Sequence, residues 1–177
     1  MSAIATLLSA VASLAAVLVA VTALNSNRAQ TRLDAQAWIG PKLGPILTVT
    51  DADNGQIVQT FTNTGHTPAE NARVSNYTVV LPTGITRDQL ATTIEDNDDK
   101  TGFSDIGTVP AGESLQVEAD PPLSLVHFGE SILYFRVRIE YEDIFGNRHK
   151  TYDCSQVTSV VGGSVAYGVC PIGKRMD

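Results

Sequence analysis

Three histidines, two cysteines and two aspartate clusters are the side chains here whose types invite chemistry. His149 and Cys154 stand five apart in a stretch that reads as a strand. Side chains alternate faces along a strand, so these two point opposite ways and do not make a Cys–His nucleophile pair. Asp143 is placed to meet His149 across a hairpin. An Asp–His contact with no nucleophile is ordinarily a satisfied structural pair. His66, His127 and His149 would share a metal only if three distant loops met, and no His-x-His or Cys-x-x-Cys spacing supports that. Asp51-Ala52-Asp53-Asn54-Gly55 lacks the sixth-position glycine and the distal glutamate of a calcium loop. Asp96-Asn97-Asp98-Asp99 runs into Lys100 where a ligand belongs, and reads as a solvated acidic loop. There is no phosphate-cradling glycine loop and no Gly-x-Ser-x-Gly elbow. The expectation is a protein that is not an enzyme, with no catalytic residue, no metal and no cofactor.

Two segments stand out by their pattern: Asn63-Thr64-Gly65-His66-Thr67-Pro68-Ala69, and Tyr141 through Cys154. Both read as architecture. Gly65 and Gly146 suit turns. Asn63 and Asp143 can accept hydrogen bonds from backbone amides just downstream, and Pro68 fixes the exit of the first turn. Written as N-x-G-x-T-P-A and Y-x-D-x-F-G-x-x-H-x-T-x-x-C, the pair resembles a widespread set of uncharacterised bacterial membrane-anchored proteins. The resemblance runs over essentially the whole chain. It implies an immunoglobulin-like β-domain on a single-pass membrane stalk, with no assigned activity.

These segments need elements to hold them. Ala3 to Leu24 is 22 residues without a charge, ten of them Leu, Ile or Val. A helix of that length spans roughly 33 Å, against about 30 Å of hydrocarbon. The expectation is a transmembrane helix over residues 1–24. A cleaved signal peptide is the competing reading, but Met1-Ser2 supplies no basic n-region. Ala12, Ala16 and Ala20 form one stripe of small residues, and Ala5, Ser9 and Ser13 a second. Such stripes let helices approach closely in lipid, so all six are candidates for helix packing. Residues 25–42 read as a helical neck that Gly40-Pro41 ends. Trp38 lies either at head-group level or against the β-domain.

From residue 43 to 177 the signals are those of short antiparallel strands. Ile46–Thr50 and Gln56–Asn63 flank a turn-forming cluster, and Arg73–Leu81 ends at Pro82. Arg87–Ile94 has room for one or two helical turns. Leu133–Tyr141 is the clearest strand. Phe135, Val137 and Ile139 alternate with Arg136 and Arg138, which places the first three inside and the arginines outside. The fold class expected is mainly β: the transmembrane helix plus an immunoglobulin-like antiparallel β-sandwich.

The formal charge of -7 lies wholly after Asn27, which sets the domain against nucleic acid. Arg28 and Arg32 flank one end of the helix and nothing basic flanks the other. That places the β-domain on the cytoplasmic side of a bacterial inner membrane; the alternative is the periplasmic side. Cys154 and Cys170 are either a disulfide, implying an oxidising compartment, or two small buried hydrophobes. The functional expectation is an accessory or scaffolding subunit. Its helix docks in the bilayer on transmembrane helices of a larger respiratory, photosynthetic or transport complex. A homo-oligomer with a helix core, and a receptor or enzyme, are the alternatives.

Overall fold

The computed structural model describes residues 2–49, 55–127, 129–161, 164–172 and 175–176. The chain divides into two units, Met1–Gln36 and Ala37–Asp177.

The first unit is one helix, α1, Ser2–Asp34. The expected transmembrane span is not upheld: among the described residues no helix is long and apolar enough to cross a membrane. Side chains of α1 are described from Leu14 to Thr31. Beyond Leu24 the same helix carries Asn25, Asn27, Arg28 and Gln30 without a break. Of the six packing candidates, Ala16 and Ala20 are exposed. The side chains of Ala5, Ser9, Ala12 and Ser13 lie outside the described ones.

The second unit is two antiparallel sheets. Its strands are β1 (Ile39–Pro41), β2 (Ile46–Val49), β3 (Gly55–Asn63), β4 (Ala69–Pro82), β5 (Ser104–Val109), β6 (Ser114–Ala119), β7 (Ser131–Glu142), β8 (Arg148–Val161), β9 (Ser164–Val169) and β10 (Arg175–Met176). In the smaller sheet β3 is central; β1 and β2 pair along one side of it and β6 along the other. In the larger sheet the order is β8-β7-β4-β5, with β9 and β10 both on the outer side of β8. Ile57 and Phe61 from the smaller sheet meet Leu133, Phe135, Val137 and Ile139 from the larger in one core. The alternation read along β7 thus sets the correct face inward. Strand β1 lies inside the segment read as the neck.

The outer face of β7 departs from expectation. Arg136 is 8% exposed rather than solvated. The cause is α2, Arg87–Asp98, longer than the turn or two expected of this segment. Thr86 accepts from the Gln89 amide while the Gln89 side chain accepts from the Thr86 amide, a reciprocal cap that starts the helix. Leu90 and Ile94, one turn apart, then bury against Tyr134, Cys154 and Cys170 in a second small core. Of the residues read as an acidic loop, Asp96–Asp99, the first three are the last turn of this helix and Asp99 is its C-cap. Asp98 reaches Arg136 at 3.2 Å, and the Arg136 guanidinium stacks 4.7 Å from the centre of the Tyr152 ring. A helix laid across half of the sheet has turned a wet face into an interior one. Cys154 and Cys170 are joined as a disulfide, which settles the two readings left open for them.

Candidate functional site

The two distinctive segments meet at one place, the first strand of the β-domain. Asn63 ends β3 and is fully buried. Its Oδ1 accepts from the Trp38 amide at 3.1 Å and from the Gly65 amide at 3.1 Å. Its Nδ2 donates to the carbonyls of Thr67 at 2.8 Å and Val109 at 3.0 Å. All four hydrogen-bonding positions of one side chain are therefore used, tying a turn to two strands. The downstream amide expected for Asn63 is that of Gly65. Gly65 itself does not have a left-handed φ, whereas Gly146 does, at +78°.

The second segment grips the same strand from the other sheet. The Tyr141 hydroxyl accepts from the Ile39 amide at 3.2 Å and donates to the Ala37 carbonyl at 3.4 Å. Thr151 Oγ1 donates to the Ile39 carbonyl at 2.6 Å. The Trp38 carbonyl takes the Thr64 amide at 2.7 Å. A three-residue strand cannot hold itself by ladder bonds alone. Here β3 serves one edge of β1, and Tyr141 and Thr151 serve the other. Buried backbone groups left without partners are costly, so these side chains do the work of a missing strand. Replacing Thr151 by valine keeps the shape and removes the donor. Stability is expected to fall by about 1–3 kcal/mol, read by denaturant unfolding followed through Trp38, the single tryptophan.

Asp143 organises the turn between β7 and β8. Its carboxylate accepts from the amides of Phe145 and Asn147, each at 2.9 Å, and from the Asn147 side chain. Nε2 of His149 lies 3.0 Å from its Oδ2, the contact expected across the hairpin. The His149 ring stacks on Tyr141 with centroids 5.3 Å apart. Burial pushes the Asp143 pKa up, but the hydrogen bonds from Asn147, His149 and Phe145 outweigh it and hold it at about 2. The folded pKa is below the unfolded one of about 4. The stability Asp143 contributes is therefore complete above pH 4 and is lost as pH falls toward 2. Asp143→Asn is expected to flatten the stability profile in that window, measured by unfolding at stepped pH.

Sequence reading missed two groups. Gln59 and Asp153 are both essentially buried between the sheets, with Gln59 Nε2 donating to Asp153 Oδ2. Each sits at an inward position of its strand, and nothing in either segment names the other as partner. On the outer face of the larger sheet, Glu140 receives Arg73, Arg138 and Lys150. Burial raises its pKa, and the hydrogen bonds from Arg138, Arg73 and Lys150 bring it down to about 2. Arg73 and Arg138 each stack on the Phe103 ring at 4.6 Å. A groove of about 680 Å³ lies over this network, lined also by Asp105, Glu142 and Arg148. Its four cations face three carboxylates, and most are already paired with one another.

The residues considered for chemistry lie apart. His66 and His127 are exposed on different loops, and His149 is buried at the clamp. Asp51–Asn54 lie outside the described residues. Among the described residues no three His, Cys, Asp or Glu side chains are grouped to hold a metal ion. Both cysteines are in the disulfide, so neither offers a thiolate. Residues 1–158 match the family described as a domain of unknown function, DUF8453. The match covers most of the chain, and the chain belongs to that family. No curated protein matches it.

Proposed function

We propose that this member of the DUF8453 family is a non-catalytic accessory or scaffolding protein. It docks through α1 onto a larger membrane protein complex and presents its β-domain to partners there. One observation carries the reading. Leu14, Val17, Leu18, Val19, Val21 and Leu24 are each at least half exposed; all but Val19 lie along one third of the α1 circumference, and Ala16 and Ala20 on the remainder are exposed as well. A helix apolar on all sides is stable when other apolar surfaces cover it. The β-domain supports the non-catalytic part, because its distinctive side chains are spent on holding β1. We read the sandwich as immunoglobulin-like, which the order β1/β2-β3-β6 facing β8-β7-β4-β5 supports. The disulfide favours an oxidising compartment, hence the periplasmic side over the cytoplasmic one.

The test is recovery of the complex from native extracts. Ala16→Leu adds bulk in the small-residue stripe without making the helix less apolar, and is expected to weaken copurification several-fold. Val17→Leu is a similar addition at a position already bulky, and is expected to leave recovery unchanged. Equal recovery with both would remove the stripe as the docking surface.

A further inference from the structure

The edges of the two sheets are not alike. On β1 the free edge is closed by Tyr141 and Thr151. Strand β2 is four residues long. The β6 edge is engaged where Asn76 Nδ2 donates to the Glu118 carbonyl at 2.6 Å. Strand β5 carries Asp105, a left-handed Gly107 and two register shifts against β4. Short strands, charges, irregular pairing and side-chain cover are the devices that keep an edge from recruiting another strand.

Strand β9 carries no charged residue and, among the described residues, no left-handed one. Among the described residues it pairs only with β8. The register shift between them falls at Thr158 of β8, so β9 itself runs unbroken. Tyr167 stands opposite Val157, and Val169 opposite Ser155, so both project toward the inter-sheet side. Val157 is fully buried there, yet Tyr167 is 44% and Val169 56% exposed. The smaller sheet covers β8 and stops short of β9. From Cys154 to Gly173, 20 residues pass without Asp, Glu, Lys, Arg or His, in a chain of net charge -7.

We propose that β9 is a self-association edge, through which two copies of this chain pair antiparallel and join their larger sheets. Charge selects the occupant. Two copies of an acidic domain repel wherever their charged faces meet, and the uncharged β9 edge lets them approach without that penalty. A strongly charged partner would find no counter-charge on the strand itself. Antiparallel pairing of a strand with its own copy is closed by a two-fold axis, so it stops at a dimer. It sets Tyr167 and Val169 of one copy beside those of the other, where cross-strand aromatic and β-branched contacts stabilise a sheet. The new backbone bonds would run along six residues, a small interface, so the pairing should appear as concentration rises.

The full-length purified chain is examined over a concentration series by amide hydrogen exchange and by sedimentation. The β9 amides are expected to gain protection as the mass moves from monomer to dimer. A lysine at the edge, Val169→Lys, is expected to weaken self-association at least tenfold and abolish the gain in protection. Retention of the Cys154–Cys170 bond and of β7 protection certifies the variant's fold. If Val169→Lys fails that check, Tyr167→Lys is read in its place. Exchange at β9 that is independent of concentration in the parent chain overturns the proposal whatever the variants do. So does a dimer whose protected amides lie in β2 or α1, or one that Val169→Lys leaves intact.

Discussion

Phe135→Ala is expected to lower the stability of the β-domain by about 3–5 kcal/mol. Phe135 is 1% exposed at the centre of the two-sheet core, with Leu133, Val137 and Ile139 on its own strand. Removing the ring loses its transfer free energy. It also leaves a cavity that two hydrogen-bonded sheets cannot readily close, because the ladders of β4 and β8 hold β7 on both sides. Most of the marginal stability of a domain this size would be gone. Ile144, 47% exposed in the turn between β7 and β8, is the control. Its truncation to alanine is expected to stay within about 0.5 kcal/mol. Denaturant unfolding followed by Trp38 fluorescence measures both. A loss under 1 kcal/mol for Phe135→Ala would mean that the sheets do not share the core described above.

Loss of the disulfide is expected to have the second largest effect, about 3 kcal/mol. The bond links residues 16 apart in sequence, and closing a loop of that size removes about this much free energy from the unfolded chain. Both sulfurs are buried beneath α2 with Leu90 and Ile94, so the folded state also loses a tight contact in the smaller core. The comparison is Cys154→Ala with Cys170→Ala against the parent, by the same fluorescence unfolding. Equal stability of the two would show that the pair adds nothing to the fold. Thiol labelling of freshly extracted protein gives the companion result: no reactive cysteine is expected until the chain is unfolded and reduced. Ready labelling would return the β-domain to a reducing compartment.

The sequence by itself determined what depends on neighbours a few residues away. The alternation in β7 named Phe135, Val137 and Ile139 as inward, because side chains of a strand change face at every residue. Asn63 and Asp143 were legible as turn caps, since each bonds an amide two residues on. The Thr86/Gln89 capping box is equally local, and it starts a helix that runs past the one or two turns expected of this segment. Only the tertiary structure decided the rest. Tyr141 and Thr151 bond residues more than 100 positions earlier, at Ala37 and Ile39. Gln59 finds Asp153 across 94 residues. Arg136 is buried because α2 lies over that half of the sheet, a placement that no pattern within β7 encodes. Periodicity assigns a residue to a face. Which other residue waits on that face is set by the order in which strands join their sheets, and that order follows from how the whole chain buries its apolar surface.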